Sequence, residues 1–187
     1  MKLDGVDFGK DIVILDSNMF MTDYMRDYLK NNLVKAILDY RQENNGNYLV
    51  NIPRTVLDEL EMLKTKPGVE FLSVRTEAFR GIEAAKDLIR KEFARPIKSD
   101  FTGSANGFND VAILTMLMEL RRHVNVSVLS NDRAFARDLM ILNNLQSVKA
   151  KKIIRVFYID NREHSVREWI YDQKIDKAVR FENEISK

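Results

Sequence analysis

The chain contains no cysteine, and His123 and His164 are the only histidines among its 187 residues. The absence of thiols excludes disulfide frameworks, cysteine nucleophiles and structural zinc sites built from thiolates. Two histidines are also too few for a conventional histidine-rich metal site. The composition alone therefore excludes these classes of site.

Proline and glycine are scarce as well, with three and seven residues, while 45% of the chain is hydrophobic and 31% is charged. This composition is typical of a folded, helix-rich protein, and the length fits one domain, residues 1–187. No apolar run is long enough to span a membrane, and the N-terminus lacks the basic-then-apolar order of a signal peptide. We therefore expect a cytoplasmic protein with no membrane partner.

Short apolar runs typical of buried strands alternate with helical patterns along the chain. The runs cover residues 11–15, 48–52, 124–129 and 152–159. The predicted helices cover residues 20–43, 55–64, 71–94, 109–122, 133–143 and 164–183. This alternation predicts an α/β fold, a three-layer α/β/α arrangement with a mainly parallel central sheet. Such sheets bind ligands beyond the carboxyl ends of their strands.

Two aspartates lie just past predicted strands: Asp16 follows its strand directly, and Asp132 lies three residues after the end of its strand. Each is followed by a helical pattern, so an ordinary helix cap is one interpretation of both. The apolar run before each aspartate also places its carboxylate at the ligand-binding edge of the sheet. These two positions alone do not decide between a cap and a metal ligand.

Two further acidic residues belong to the predicted helices of the segments "PRTVLDELEML" and "GFNDVAILTMLMELRR". Thr55 and Asp58 match a capping box, which predicts a helix that begins near Val56. Glu59 lies nearer the strand end than Glu61 and is the better site candidate, although a solvated helix face is the alternative. Asp110 shares a face with apolar residues, where a bare carboxylate is costly unless it is paired or bound to a cation.

Four motifs, in this order, resemble those of the PIN-domain nucleases: "VILDSN" (13–18), "NIPRTVLDELEML" (51–63), "NDVAILTMLMEL" (109–120) and "VSVLSNDRAFARDL" (126–139). The resemblance spans most of residues 11–160 and implies a PIN-like fold. It also implies that an acidic quartet binds Mg²⁺ or Mn²⁺ and activates water to hydrolyse the phosphodiester bonds of RNA, which we expect to be single-stranded. The quartet corresponds to Asp16, Glu59, Asp110 and Asp132. We expect Ser17, Asn18, Ser130 and Asn131 to be its supporting polar residues.

A substrate strand needs cations near the acidic residues, but the net charge of +2 is too small to predict nucleic-acid binding by itself. Arg54 and Arg133 lie close in sequence to Glu59 and Asp132. Lys98 and Phe101 belong to a Gly-rich segment, 96–108, that we expect to be a mobile loop. We predict these four residues as the nucleic-acid contacts, with Phe101 stacking on a base.

Two segments depart from the resemblance. Residues 65–108 form a long predicted helical insertion between the second and third acidic motifs. The predicted C-terminal helix, 164–183, could pack on its own domain, on a second copy of the chain or on another protein. Two other functions also stay open: a PIN-like module that binds RNA or protein without turnover, and a DNA-directed nuclease of related fold.

Overall fold

A computed structural model of the chain describes residues 1–44, 48, 50–98, 109–143 and 152–180. Residues 109 and 110 are described by their backbone alone. The predicted loop 96–108 lies outside the described residues except for its first three positions. The described strands are β1 (Lys2–Leu3), β2 (Val6–Asp7), β3 (Ile12–Leu15), β4 (Val50–Pro53), β5 (Ala94–Ile97), β6 (Val126–Leu129), β7 (Ile154–Asp160), β8 (Ser165–Glu168), β9 (Ile170–Asp172) and β10 (Lys177–Val179).

Six of these strands form a central sheet in the order β5-β4-β3-β6-β7-β8. Its first five strands run parallel, and β8 is antiparallel to β7. Strands β4 and β6 are buried along their whole length, and β3 and β7 are largely so, because both faces of the sheet are covered. The expected three-layer α/β/α fold is confirmed.

The helices follow the strands in the expected alternation. A 3₁₀ turn at Ser17–Phe20 follows β3, and a π-helical turn at Leu29–Leu33 joins the first two helices. Among the described helices, none combines the length and apolar character needed to cross a membrane. The α-helices are α1 (Asp23–Tyr28), α2 (Val34–Asn44), α3 (Arg54–Lys64), α4 (Leu72–Arg90), α5 (Asn109–Leu120) and α6 (Arg133–Leu142).

The predicted insertion, 65–108, is helical only in part. Helix α4 fills much of it, but β5 then pairs in parallel with β4 and forms one edge of the central sheet. Pro96 lies within β5, and such a residue is tolerated at a sheet edge because no neighbouring strand requires its missing N–H. The insertion therefore contributes a strand to the sheet as well as a helix.

The prediction of a C-terminal helix at 164–183 is wrong over the described residues. This segment contains β8 and a hairpin of β9 and β10, and β10 packs on α6. Val166 and Ala178 are buried within β8 and β10, and Trp169 is buried in the connection between β8 and β9. A helical surface for an oligomer or a protein partner is accordingly not formed at 165–180.

Candidate active site

The ends of the two central strands bring Asp16 and Ser130 together. Leu15 of β3 is the register partner of Leu129 of β6, so the next residue of each strand lies at the same level of the sheet. The N–H of Asp16 donates to the carbonyl of Leu129 at 3.1 Å, which continues the ladder one step beyond the strand. Parallel pairing thus places two residues distant in sequence side by side at the carboxyl edge.

The Asp16 carboxylate is almost buried, with 7% of the residue exposed, and it is held by several donors. Its Oδ2 accepts from the Asn18 amide at 2.6 Å and from the Ser130 hydroxyl at 2.7 Å. Its Oδ1 accepts from the backbone N–H of Ser17 at 2.7 Å, and the Ser17 hydroxyl lies 3.5 Å away. These donors stabilise a buried negative charge and fix the direction of its oxygens.

Asn131 connects this cluster to the neighbouring strand β7. Its backbone N–H donates to Oδ1 of Asn18 at 3.0 Å. Its side-chain amide pairs with both backbone groups of Ile159, donating to the carbonyl at 3.0 Å and accepting from the N–H at 2.9 Å. The Asn131 side chain therefore replaces a strand residue and extends the pairing between β6 and β7 beyond the end of β6.

Asp132 caps helix α6. Its Oδ1 accepts from the backbone N–H groups of Ala134 at 2.8 Å and Phe135 at 3.0 Å, and its own N–H donates to the Ser130 hydroxyl at 3.1 Å. The residue is exposed to solvent. The cap interpretation is thus correct for one carboxylate oxygen, Oδ1. The hypothesis that Asp132 binds a metal then concerns its other oxygen, Oδ2.

Glu59 lies on α3, which packs against the 3₁₀ turn that follows Asp16 and against α5. Its side chain is half-buried. The helix begins at Arg54, with Pro53 as a cap residue that makes no side-chain hydrogen bond, so the predicted capping box of Thr55 and Asp58 is not formed. The backbone of Asp110 lies in the first turn of α5, but its side chain is outside the described residues.

The chemistry of these donors fits a hard divalent cation, because carboxylate oxygens are the ligands that Mg²⁺ and Mn²⁺ prefer. Asp16 is the best placed of them, since its carboxylate is already fixed by neutral donors. Within the described part of the chain, no group of three or more acidic or histidine side chains is positioned to hold a metal ion. A complete ligand set from the described residues is therefore not assembled.

An arginine that the sequence did not single out stabilises the 3₁₀ turn after Asp16. Arg26 is buried, and its guanidinium donates to the carbonyl of Phe20 at 2.6 Å. It also forms ion pairs with Glu77 of α4 at 2.5 Å and with Asp23 at 2.6 Å. The hydrogen bond from Arg26 lowers the pKa of Asp23 below its ordinary value. The turn is thereby tied to α4 by charge-assisted hydrogen bonds.

The predicted nucleic-acid contacts differ in their surroundings. Arg54 is exposed and pairs with Asp58 at 3.3 Å, whereas Lys98 is exposed directly after β5. The guanidinium of Arg133 donates through Nε to the carbonyl of Ala178 at 2.5 Å, so it anchors the hairpin of β9 and β10 on α6. Phe101 lies outside the described residues.

Trp169, which lies within the segment predicted as the C-terminal helix, also contacts the site. Its indole N–H donates to the backbone carbonyl of Ser130 at 2.9 Å. No local pattern indicated this contact, because it depends on the antiparallel strand β8, which the sequence did not reveal.

Comparison with known proteins identifies a family for this chain. The PIN domain family matches residues 13–153, which include Asp16 and Asp132. Among solved structures, the PIN domain endonuclease Utp24 is similar at 17% identity, with a TM-score of 0.45 over 83% of this chain and 89% of that chain. No curated protein matches the sequence. The family match extends over most of the chain, and this protein belongs to the PIN-domain family.

Proposed function

We propose that this protein is a metal-dependent nuclease that hydrolyses the phosphodiester bonds of single-stranded RNA. The observation that supports this most directly is the Asp16 carboxylate, nearly buried at the carboxyl edge of the sheet and oriented by Asn18 and Ser130. Membership of the PIN-domain family indicates a hydrolytic nuclease. The cytoplasmic location stays a prediction from the sequence.

In this proposal Asp16, Glu59, Asp110 and Asp132 hold Mg²⁺ or Mn²⁺, and water is the nucleophile. PIN nucleases generally use divalent metals. A bound divalent ion supplies a lowered pKa for its water and neutralises the charge that develops on the phosphate. Ser130 and Asn18 keep the Asp16 carboxylate in one direction, because each donates to its Oδ2. No side-chain nucleophile is required.

A second function is favoured by a specific observation. The hydrogen bonds described for the Asp132 carboxylate are those of a helix cap, as expected of a PIN-like module that binds RNA or protein without turnover. The two functions differ in what happens to a bound strand. A module retains the strand intact, whereas the nuclease cuts it.

The test is incubation of the purified protein with a labelled, unstructured RNA and with DNA of the same sequence, in Mn²⁺, in Mg²⁺ and in excess chelator. The proposal predicts cleavage of RNA that requires the metal and is slower or absent for DNA. Binding of RNA without cleavage in either metal would favour the module. Equal cleavage of both strands would favour a DNA-tolerant nuclease, because recognition would then not depend on the 2′-hydroxyl.

A further inference from the structure

Trp169 lies between β8 and β9, outside the residues that the PIN domain family matches. It is almost fully buried, with 5% exposed. Its backbone N–H donates to the carbonyl of Val156 at 2.9 Å, and its ring packs on Tyr158 with centroids 4.6 Å apart. The guanidinium of Arg180 lies 5.7 Å from the indole centroid. The indole therefore has one well-determined position.

The peptide group that joins Ser130 to Asn131 is held from both sides. Its carbonyl accepts from the indole N–H of Trp169 at 2.9 Å, and its N–H donates to Oδ1 of Asn18 at 3.0 Å. Because a peptide group is planar, fixing both its carbonyl and its N–H fixes the orientation of the whole unit. Trp169 and Asn18 thus act on one rigid unit.

This peptide group is connected to Asp16 by two short paths. Ser130 precedes the plane and donates its hydroxyl to Asp16 Oδ2, while Asn18 donates its amide to the same oxygen. The Ser130 hydroxyl also accepts from the N–H of Asp132. A rotation of the peptide group would therefore disturb the donors of Asp16 and the position of Asp132 together.

We infer that Trp169 is a positioning residue of the proposed nuclease site, acting through the Ser130–Asn131 peptide on the direction of the Asp16 carboxylate. This inference rests on the proposed function for its effect on catalysis. The effect of Trp169 on the orientation of the Ser130–Asn131 peptide does not depend on that function. The C-terminal strands then belong to the working site, although they lie beyond the family match.

The experiment removes only the indole N–H. Because Trp169 is the only tryptophan, benzothienylalanine, in which sulfur replaces the ring N–H, can be incorporated at this single position. Trp169→Phe is a genetically encoded variant that removes the N–H together with part of the buried ring. The matched control is Tyr48→Phe, because the Tyr48 hydroxyl donates to the Asp11 carbonyl at 2.9 Å from a similarly buried ring, next to the opposite end of β3.

Amide hydrogen exchange is the first readout. Exchange of the Asn131 and Asp132 amides should become roughly three- to tenfold faster in the benzothienyl protein, as the loss of one hydrogen bond allows. The Ile12 amide, bonded to Asn125 at the far end of β3, should be unchanged. In Tyr48→Phe the Asn131 and Asp132 amides should keep the wild-type rate. Equal rates for these two amides in all three proteins would overturn the inference.

Single-turnover and steady-state cleavage of RNA give the second readout. The benzothienyl protein and Trp169→Phe should lose kcat by about tenfold with KM changed less than twofold, whereas Tyr48→Phe should retain both constants. A change confined to KM, or the same loss of kcat in Tyr48→Phe, would contradict a positioning role. If the wild type cuts no RNA, the proposed function fails while the exchange rates still decide the role of Trp169.

Discussion

The hydroxyl of Ser130 donates to Oδ2 of Asp16 at 2.7 Å, although 114 positions of sequence separate the two residues. The contact follows from the parallel pairing of β3 with β6, whose last residues are register partners. Neutral donors stabilise the charged form of a buried carboxylate in this position and fix the direction of its oxygens. This contact makes Asp16 the best-placed candidate metal ligand among the described residues.

Metal binding should stabilise the wild-type fold. At saturating Mn²⁺ or Mg²⁺ the melting temperature should rise by several degrees, because a ligand at about 100 times its Kd contributes roughly 2.7 kcal/mol. Asp16→Asn and Asp110→Asn should lose most of this rise, as measured by thermal unfolding with and without metal. Asp58→Asn is the control, since that carboxylate is exposed and paired with Arg54. Identical rises in all four proteins would remove the proposed metal site.

The two roles of Asp132 can be separated by two substitutions. Asp132→Ala removes the cap of α6 and should lower the free energy of unfolding by about 1 kcal/mol, whereas Asp132→Asn keeps a good cap residue and should change it little. Both variants should lose RNA cleavage if the carboxylate is a metal ligand. Urea unfolding and cleavage rates check this, and an Asn variant as active as wild type would mean that Asp132 only caps the helix.

The strands that lead to the site could be predicted because they are short, apolar and buried. The runs that became β3, β4, β6 and β7 each end at a polar residue or proline, so the carboxyl end of each strand was predicted to within one residue. The parallel sheet followed from the helices between them. This part of the prediction succeeded because local pattern and tertiary burial agree.

The edge strand β5, the C-terminal strands and the buried Arg26 depend on contacts that no local pattern encodes. Strand β5 reads "ARPI", and its middle residues are exposed, as at a sheet edge, so it lacks the apolar run of a buried strand. The C-terminal strands have only three or four residues each, too few to separate a period of 2 from a period of 3.6. The buried Arg26 could not be distinguished from an exposed helix arginine, because its partners Glu77 and Phe20 come from separate segments.

Gly81 should be intolerant of a side chain. A Cβ at this position of α4 would lie 2.8 Å from the carbonyl oxygen of Phe20, in the turn after Asp16. The clash should cost roughly 1–3 kcal/mol and outweigh the gain of about 1 kcal/mol from better helix propensity. Gly81→Ala should therefore unfold at lower urea, while Ser73→Ala on the exposed face of the same helix should not. Increased stability in Gly81→Ala would contradict this close approach.

Lys98 should contribute to the binding of RNA phosphates. Lys98 follows β5 at the carboxyl ends of the parallel strands, as Asp16 does. The exposed Lys10 instead precedes β3 at the amino ends of these strands. Lys98→Ala should weaken RNA binding by a few-fold and reduce the salt slope by about 1, while Lys10→Ala should do neither. Fluorescence anisotropy at several salt concentrations measures both quantities. Equal RNA affinities and salt slopes for the two variants would mean that the RNA binds elsewhere on the protein.

In the proposed function, Asp16 anchors the metal on which hydrolysis of RNA depends. The most direct test of this role is the single-turnover rate of cleavage of an unstructured RNA in saturating Mn²⁺ by the wild type, Asp16→Asn and Asp58→Asn. We expect the cleavage rate of Asp16→Asn to fall by roughly a hundredfold or more, because metal catalysis contributes several kcal/mol, and Asp58→Asn to cut at the wild-type rate. Cleavage by folded Asp16→Asn at the rate of wild type would contradict this role of Asp16.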